Sequence, residues 1–153
     1  MKTEPDAFSI ADLKRKKRAP WDGVRSFMAR AQLQAMRSGD LALFYHSSTE
    51  PPGVVGLARV VREAYPDHTQ FDRKSKYYDP RAKREAPRWF MVDVEFVERF
   101  PLMVTLADIK GDPFLNGMLV TRRGMRLSVQ PVEVGHMRHI LARAQAQTQL
   151  PEA

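Results

Sequence analysis

Between Phe90 and Val97 the chain alternates with period two: Phe90, Val92, Val94 and Phe96 fall on one side of an extended backbone, and Met91, Asp93, Glu95 and Val97 on the other. That pattern requires a strand with one face against a core, so the chain has to build a half-buried sheet. The even positions are expected inside, and Trp89 is expected on the opposite face with Asp93 and Glu95. Leu41–His46 and Val54 to about Arg62 are rich in β-formers and predict two further strands around a Ser/Thr/Pro/Gly loop. Lys2 to Glu4 reads as a short strand end stopped by Pro5, and Leu127 to Val132 as a last strand with Pro131 at an edge or bulge.

Helices are expected between these strands. Ser9 with Asp12 forms a short capping box for a helix to about Lys17, and Thr105 with Asp108 caps another that Gly111 ends. A further helix from about Val134 carries Met137, Ile140 and Leu141 on one side. From Val24 to Met36 the residues Val24, Phe27, Met28, Ala31 and Ala35 have helical spacing, which predicts that this face is core and that Arg25, Ser26, Ala29 and Arg30 project elsewhere. Glu63 to Pro87 is a polar connection with three prolines and three tyrosines, too long for an ordinary loop, and is therefore functional or ordered by packing. Strands interleaved irregularly with short helices predict an α+β fold with a curved sheet or partial barrel. The expected organisation is one domain over residues 1–144 and a disordered tail over 145–153.

Composition narrows the chemistry. Without cysteine there is no disulfide framework, thiolate metal site or cysteine nucleophile. His46 and His68 are isolated, and His136 with His139 is read as a surface pair, so no metal or other cofactor is expected. The charged, proline-interrupted N-terminus is unlike a signal peptide and no apolar run reaches the ~18 residues of a membrane span. A cytoplasmic protein, nuclear in a eukaryote, with no membrane partner and a monomeric state is the expectation. The net charge of +7 is clustered at Lys14 to Arg18, at Arg73, Lys74, Lys76, Arg81, Lys83, Arg84 and Arg88, and at Arg122, Arg123 and Arg126. Clusters of this kind suit a polyanion, most often nucleic acid, although any one of them also fits a solvated face.

WDGVR, Trp21 to Arg25, sets a tryptophan on a Gly-containing turn just ahead of a helix. Free N–H groups there favour an anionic partner. On these residues alone Trp21 fits a core anchor or a ligand wall, and Asp22 fits an N-cap.

Taken together, KTEP (Lys2 to Pro5), WDGVR, FYHS (Phe44 to Ser47), PGVVG (Pro52 to Gly56), REAYPD (Arg62 to Asp67), YYDP (Tyr77 to Pro80), PRW (Pro87 to Trp89) with VDV (Val92 to Val94), and LSVQP (Leu127 to Pro131) resemble the EVE domain family. The matches keep their order over about residues 2 to 142. The resemblance implies a PUA-like mixed β pseudo-barrel flanked by short helices, related to YTH and ASCH domains, with a pocket for a modified nucleobase. Family members commonly continue WDGVR with Asn, Tyr, Gln and Ala-Arg-Asn, whereas this chain has Ser26, Phe27, Met28, Ala29, Arg30 and Ala31. Relatives also usually carry apolar residues ahead of KTEP, so either a short first strand or a start codon placed late is expected here.

Reading one base requires taking it out of the stack, sandwiching it and hydrogen-bonding its pairing edge. The candidate walls are Trp21, Tyr45, Tyr78 and Trp89, and the candidate edge readers are Thr3, Glu4, Ser26, His46, Ser47 and Gln130, with Arg25 and the Arg73 to Arg88 cluster holding phosphates. Tyr45, Gln130 and Trp89 fit scaffold roles equally well, and Arg25 fits an ion pair with Glu4 or Asp22. The resulting expectation is a noncatalytic reader of a modified base in DNA or RNA. The rivals are an ASCH-like hydrolase using Lys2, Thr3 and Glu4, and a nonspecific clamp. Strand alternation sends Thr3 away from Lys2 and Glu4, which argues against the hydrolase.

Overall fold

The computed structural model describes residues 1–151. Five strands form one mixed sheet: β1 (Lys2–Thr3), β2 (Arg18–Pro20), β3 (Leu41–His46), β4 (Gly53–Pro66) and β5 (Phe90–Thr105), in the order β1-β3-β4-β5-β2. β1 runs parallel to β3 and all other pairs are antiparallel. The long β4 and β5 pair from Gly53 opposite Thr105 to Pro66 opposite Phe90, with repeated register shifts that bend the ribbon. Four helices accompany the sheet: α1 (Ile10–Lys16), α2 (Phe27–Ala35), α3 (Leu106–Gly111) and α4 (Val134–Arg143). The chain is thus α+β with a curved mixed sheet, as expected.

Both faces of the central strands are covered. Ile10, Leu13, Trp21, Leu33, Phe44, Val60, Val92 and Val94 belong to one core cluster, and Leu43, Leu57, Phe100, Ile109, Leu115, Met137 and Ile140 to a second. Neighbours Leu43 and Phe44 enter different clusters, which explains why LALFY is continuously apolar rather than alternating. Helix α1 lies directly on the sheet at Gly56, where a Cβ would stand 2.6 Å from the Glu98 carbonyl oxygen and 2.7 Å from Ile10 Cδ1. Its capping box is present, Ser9 Oγ accepting from the Asp12 N–H and Asp12 Oδ2 from the Ser9 N–H. Thr105 and Asp108 do the same for α3.

Three expectations change. Helix α2 starts three residues later than its apolar spacing suggests, because Ser26 rather than Asp22 is its N-cap and accepts from the Ala29 N–H. The buried residues are then Ala29 and Leu33, while Phe27 is 57% and Met28 67% exposed and Ala31 and Ala35 face solvent. Leu127 to Val132 is not a strand: Leu127 and Val129 are buried, but the Gln130 amide donates to the Leu127 carbonyl and Pro131 lacks the N–H a ladder needs. Trp89 is buried instead of standing on an open sheet face.

The segment expected to fray makes specific contacts as far as it is described. The Gln147 and Thr148 N–H groups donate to Glu98, Leu150 packs on the second cluster, and Arg138 donates to the Pro151 carbonyl. Residues 152 and 153 of that expected tail lie outside the described residues.

The altered α2 face gives a direct test. Leu33→Ala is expected to cost about 2 to 5 kcal/mol in urea denaturation, whereas Met28→Ala is expected to stay within about 0.5 kcal/mol of the parent.

Candidate nucleic-acid interface

The two edge strands, β1 and β2, stand at opposite ends of the strand order, yet Lys2 and Thr3 of one and Ala19 and Pro20 of the other line the same cleft. The sheet therefore curls until its edges face each other across an open space of about 760 Å³. That volume lies in the range of small-molecule and cofactor pockets. Phe8, Trp21 and Tyr77 supply its aromatic lining. Thr3, Glu4, Asp22, Ser26 and Ser128 supply its polar groups, and Lys2, Lys16 and Lys76 its positive charge.

The WDGVR turn is held from behind. Gly23 has φ +78° and a Cβ there would sit 2.6 Å from the Tyr77 ring, so the ring packs flat against a residue that has to be glycine. The fully buried Asp67 accepts from the Gly23 N–H at 2.8 Å, from Arg25 Nη1 at 3.1 Å and from the Thr69 N–H at 2.8 Å. Arg25 spends its remaining donors on the Tyr77 carbonyl, the Val24 carbonyl and Thr69 Oγ1. All five guanidinium hydrogens are thus engaged, and none is left for a phosphate. The expected ion pair with Glu4 or Asp22 is replaced by one with Asp67.

Two more buried polar residues order the long connection behind the cleft. The Gln70 amide donates to the Asp67 and Trp89 carbonyls, and its oxygen accepts from the Arg88 and Trp89 N–H groups. Asp79 Oδ2 accepts from Trp89 Nε1 at 2.8 Å and from Arg88 Nε at 3.0 Å. Trp89 is accordingly buried in the scaffold instead of forming an open stacking wall, and Arg88 is anchored to it through its Nε. The Arg25 guanidinium lies 5.5 Å from both the Tyr77 and Trp89 ring centroids, and Phe27 stacks on Trp89 at 5.2 Å. A column of aromatic and guanidinium groups therefore runs from the cleft wall to the exposed start of α2.

Of the residues singled out from the sequence, Thr3, Glu4, Trp21, Arg25, Ser26 and Lys76 line the cleft. Trp21 contributes an edge, being only 8% exposed and packed at right angles to Phe8 and Phe44. Tyr45 is buried in the second cluster. His46 Nε2 accepts the Ile10 N–H at 3.1 Å at the start of α1, and burial, then the Arg99 charge, lower its pKa. The Ser47 N–H donates to the Thr3 carbonyl, and Gln130 closes its own turn beside a second groove. Tyr78 does not line the cleft; its neighbour Tyr77 does. Arg73, Lys74, Lys83 and Arg84 are exposed and free of salt bridges among the described residues, whereas Arg81 pairs with Asp79.

Lys2, Phe8, Lys16, Asp22, Tyr77 and Ser128 were not among the residues expected at the site. Contrary to simple strand alternation, Lys2, Thr3 and Glu4 all border the cleft, because the strand ends at Thr3 and the chain turns at once. The Thr3 hydroxyl, however, donates to the Phe8 carbonyl at 3.0 Å. Burial lowers the Lys2 pKa, while the protein packed around Asp22, and next the Asp67 carboxylate, raise that of Asp22. His139, expected as a surface residue, is half-buried and paired with Asp112 at 2.6 Å. Among the described residues no group of three potential ligands is placed to hold a metal, and no helix is long and apolar enough to cross a membrane.

The family model of the EVE domain matches residues 1–143. Human thymocyte nuclear protein 1 is 44% identical over 152 residues, covering 86% of this chain and 67% of that protein. The chain spans about two thirds of the length of the curated relatives it matches. A crystal structure from Pseudomonas syringae is similar at TM-score 0.91 and 42% identity, covering 94% of this chain and 97% of the other. Human THYN1 protein, solved in complex with 5-methylcytosine containing DNA, is similar at TM-score 0.88 and 40% identity, covering 97% of each chain.

The Asp67–Arg25 pair predicts both a mutational and a pH effect. Asp67→Ala leaves a largely buried guanidinium without its partner and is expected to cost about 3 kcal/mol in urea denaturation at neutral pH. Burial acts to raise the Asp67 pKa, but the hydrogen bonds from Thr69, Gly23 and Arg25 outweigh it and hold the folded-state value below the ordinary 3.8. The stability this carboxylate contributes is therefore complete above pH 3.8 and lost as the pH falls through the lower folded value. The stability difference between parent and variant should shrink over that interval.

Proposed function

The chain belongs to the EVE domain family, and from that premise we propose that it is a noncatalytic nucleic-acid-binding module that receives one modified base in the cleft between its sheet edges. The observation that carries this reading is the cleft itself, which combines aromatic surface, hydrogen-bonding groups and lysines around a space large enough for a flipped-out base. A 5-methylcytosine in DNA is the first ligand to test, since the human relative was solved with DNA containing it. Tyr77 would stack on the base, with the Trp21 edge and Phe8 closing the space. Thr3, Glu4, Asp22, Ser26 and Ser128 would read its polar edge. Lys2, Lys16 and Lys76, followed by Arg73, Lys74, Lys83 and Arg84, would attract the phosphates. The module would work wherever its nucleic acid resides, in the cytoplasm or, as the name of the human relative indicates, the nucleus.

The Thr3 hydroxyl engages the Phe8 and Glu4 backbone carbonyls rather than the Lys2 amine or the Glu4 carboxylate, which supports binding over hydrolysis. Trp21 is so deeply packed against Phe8 and Phe44 that its replacement would disturb the core, which makes Tyr77 the sharper probe.

In a fluorescence titration, oligonucleotides differing only in one unmodified, methylated or hydroxymethylated cytosine should be distinguished, and the preference should persist at higher salt. Tyr77→Ala should weaken binding of the preferred oligonucleotide by about 1 to 3 kcal/mol. Equal binding of every oligonucleotide, abolished by salt and indifferent to Tyr77→Ala, would instead identify a nonspecific clamp.

A further inference from the structure

Phe27 and Met28 are the first two residues of α2 and directly follow Arg25 and Ser26, which line the cleft. They are also among the largest exposed apolar side chains of the molecule, at 57% and 67%. The residues that α2 contributes to the core cluster are Ala29 and Leu33. Two adjacent bulky apolar groups projecting from the rim of a polar, lysine-bearing cleft call for a partner that is apolar at one point and anionic around it. A base stack within its phosphate rails has that character.

The setting favours such a partner further. Phe27 is fixed by stacking on the buried Trp89, which is itself tied to Asp79. The Arg30 guanidinium lies 4.8 Å from the Phe27 ring, and α2 contains no acidic residue to repel a phosphate. When a base leaves a duplex, it opens a gap in the stack, and proteins that deform DNA fill such gaps with apolar side chains.

Resting on the base-reading cleft proposed above, we infer that Phe27 and Met28 form a wedge that enters duplex DNA at the position vacated by the base held in the cleft. Met28, the more exposed of the two, leads, and Phe27 backs it from its stacked position on Trp89. The wedge acts only where a stack has to be opened. It is therefore needed for duplex DNA and dispensable for a single strand that already presents its bases.

The test compares the parent with Met28→Ala and with the double variant Phe27→Ala/Met28→Ala, after thermal unfolding has confirmed that Met28→Ala is folded. The probes are a duplex carrying one 5-methylcytosine beside a 2-aminopurine reporter and the corresponding single strand. The expected result is loss of duplex affinity by about tenfold or more in the double variant and a smaller loss in Met28→Ala. Reporter brightening should disappear with it, while single-strand affinity stays within about twofold. Parent-like duplex binding by both variants, with the preference for 5-methylcytosine intact, would overturn the wedge and leave the cleft reading standing. Equal losses on duplex and single strand would overturn it too, reducing Phe27 and Met28 to ordinary contacts. Absence of any preference for the modified base in the parent protein would overturn the cleft reading, and the wedge with it.

Discussion

The ion pair between Arg25 and Asp67 holds the candidate site in shape. Asp67 lies on the segment that follows β4, and Arg25 closes the WDGVR turn that follows β2, so one contact fastens the two sides of the cleft's back wall. A lone buried carboxylate would be costly, but this one is surrounded by the Gly23 and Thr69 N–H groups as well as the guanidinium. The arginine in turn reaches the Tyr77 carbonyl and so fixes the ring that walls the cleft. Removing any member leaves several polar groups unsatisfied at once. For that reason the network behaves as a unit rather than as separable bonds.

That dependence explains why so much of the aromatic and basic residue content serves as scaffold. Trp21 and Trp89 are both nearly buried, and Arg88 and Arg25 are committed to internal carboxylates. Arg73, Lys74, Lys83 and Arg84 remain exposed on the connection between β4 and β5, which Asp67, Gln70 and Asp79 order from within. Three buried polar residues thus allow a long, proline-rich segment to keep a fixed course without a strand or α-helix of its own, apart from the short 3-10 turn His68–Phe71.

The parts of the fold governed by local chemistry were legible in the sequence. Ser9 with Asp12 and Thr105 with Asp108 cap helices at the expected places, and Leu41–His46 is a strand to the residue. The start and the buried face of helix α2 were not legible, because Val24 belongs to the preceding turn, and counting from it shifts the apolar stripe onto Phe27 and Met28. The true core contacts are a small alanine and one leucine, which carry little signal. Much of the cleft was missed for a related reason. Which of Tyr77 and Tyr78 faces inward is decided by the bare surface of Gly23 more than fifty positions away, and no local pattern in YYDP encodes it. Likewise Tyr45 and His46 have residue types suited to a base pocket, but β3 is central enough to be covered on both faces.

A rigid back wall has an energetic consequence for binding. A stacking ring that swings freely in the unbound protein loses conformational entropy when a ligand orders it, and that loss subtracts from the affinity. Tyr77 is pressed against Gly23 on one side, and its own carbonyl is gripped by Arg25, so much of its ordering has already taken place on folding. The Trp21 edge is likewise immobilised by Phe8 and Phe44. The stability of the hydrogen-bonded network around Asp67 is thereby converted into preorganisation of the cleft, and selectivity between closely similar ligands depends on walls that do not yield to either.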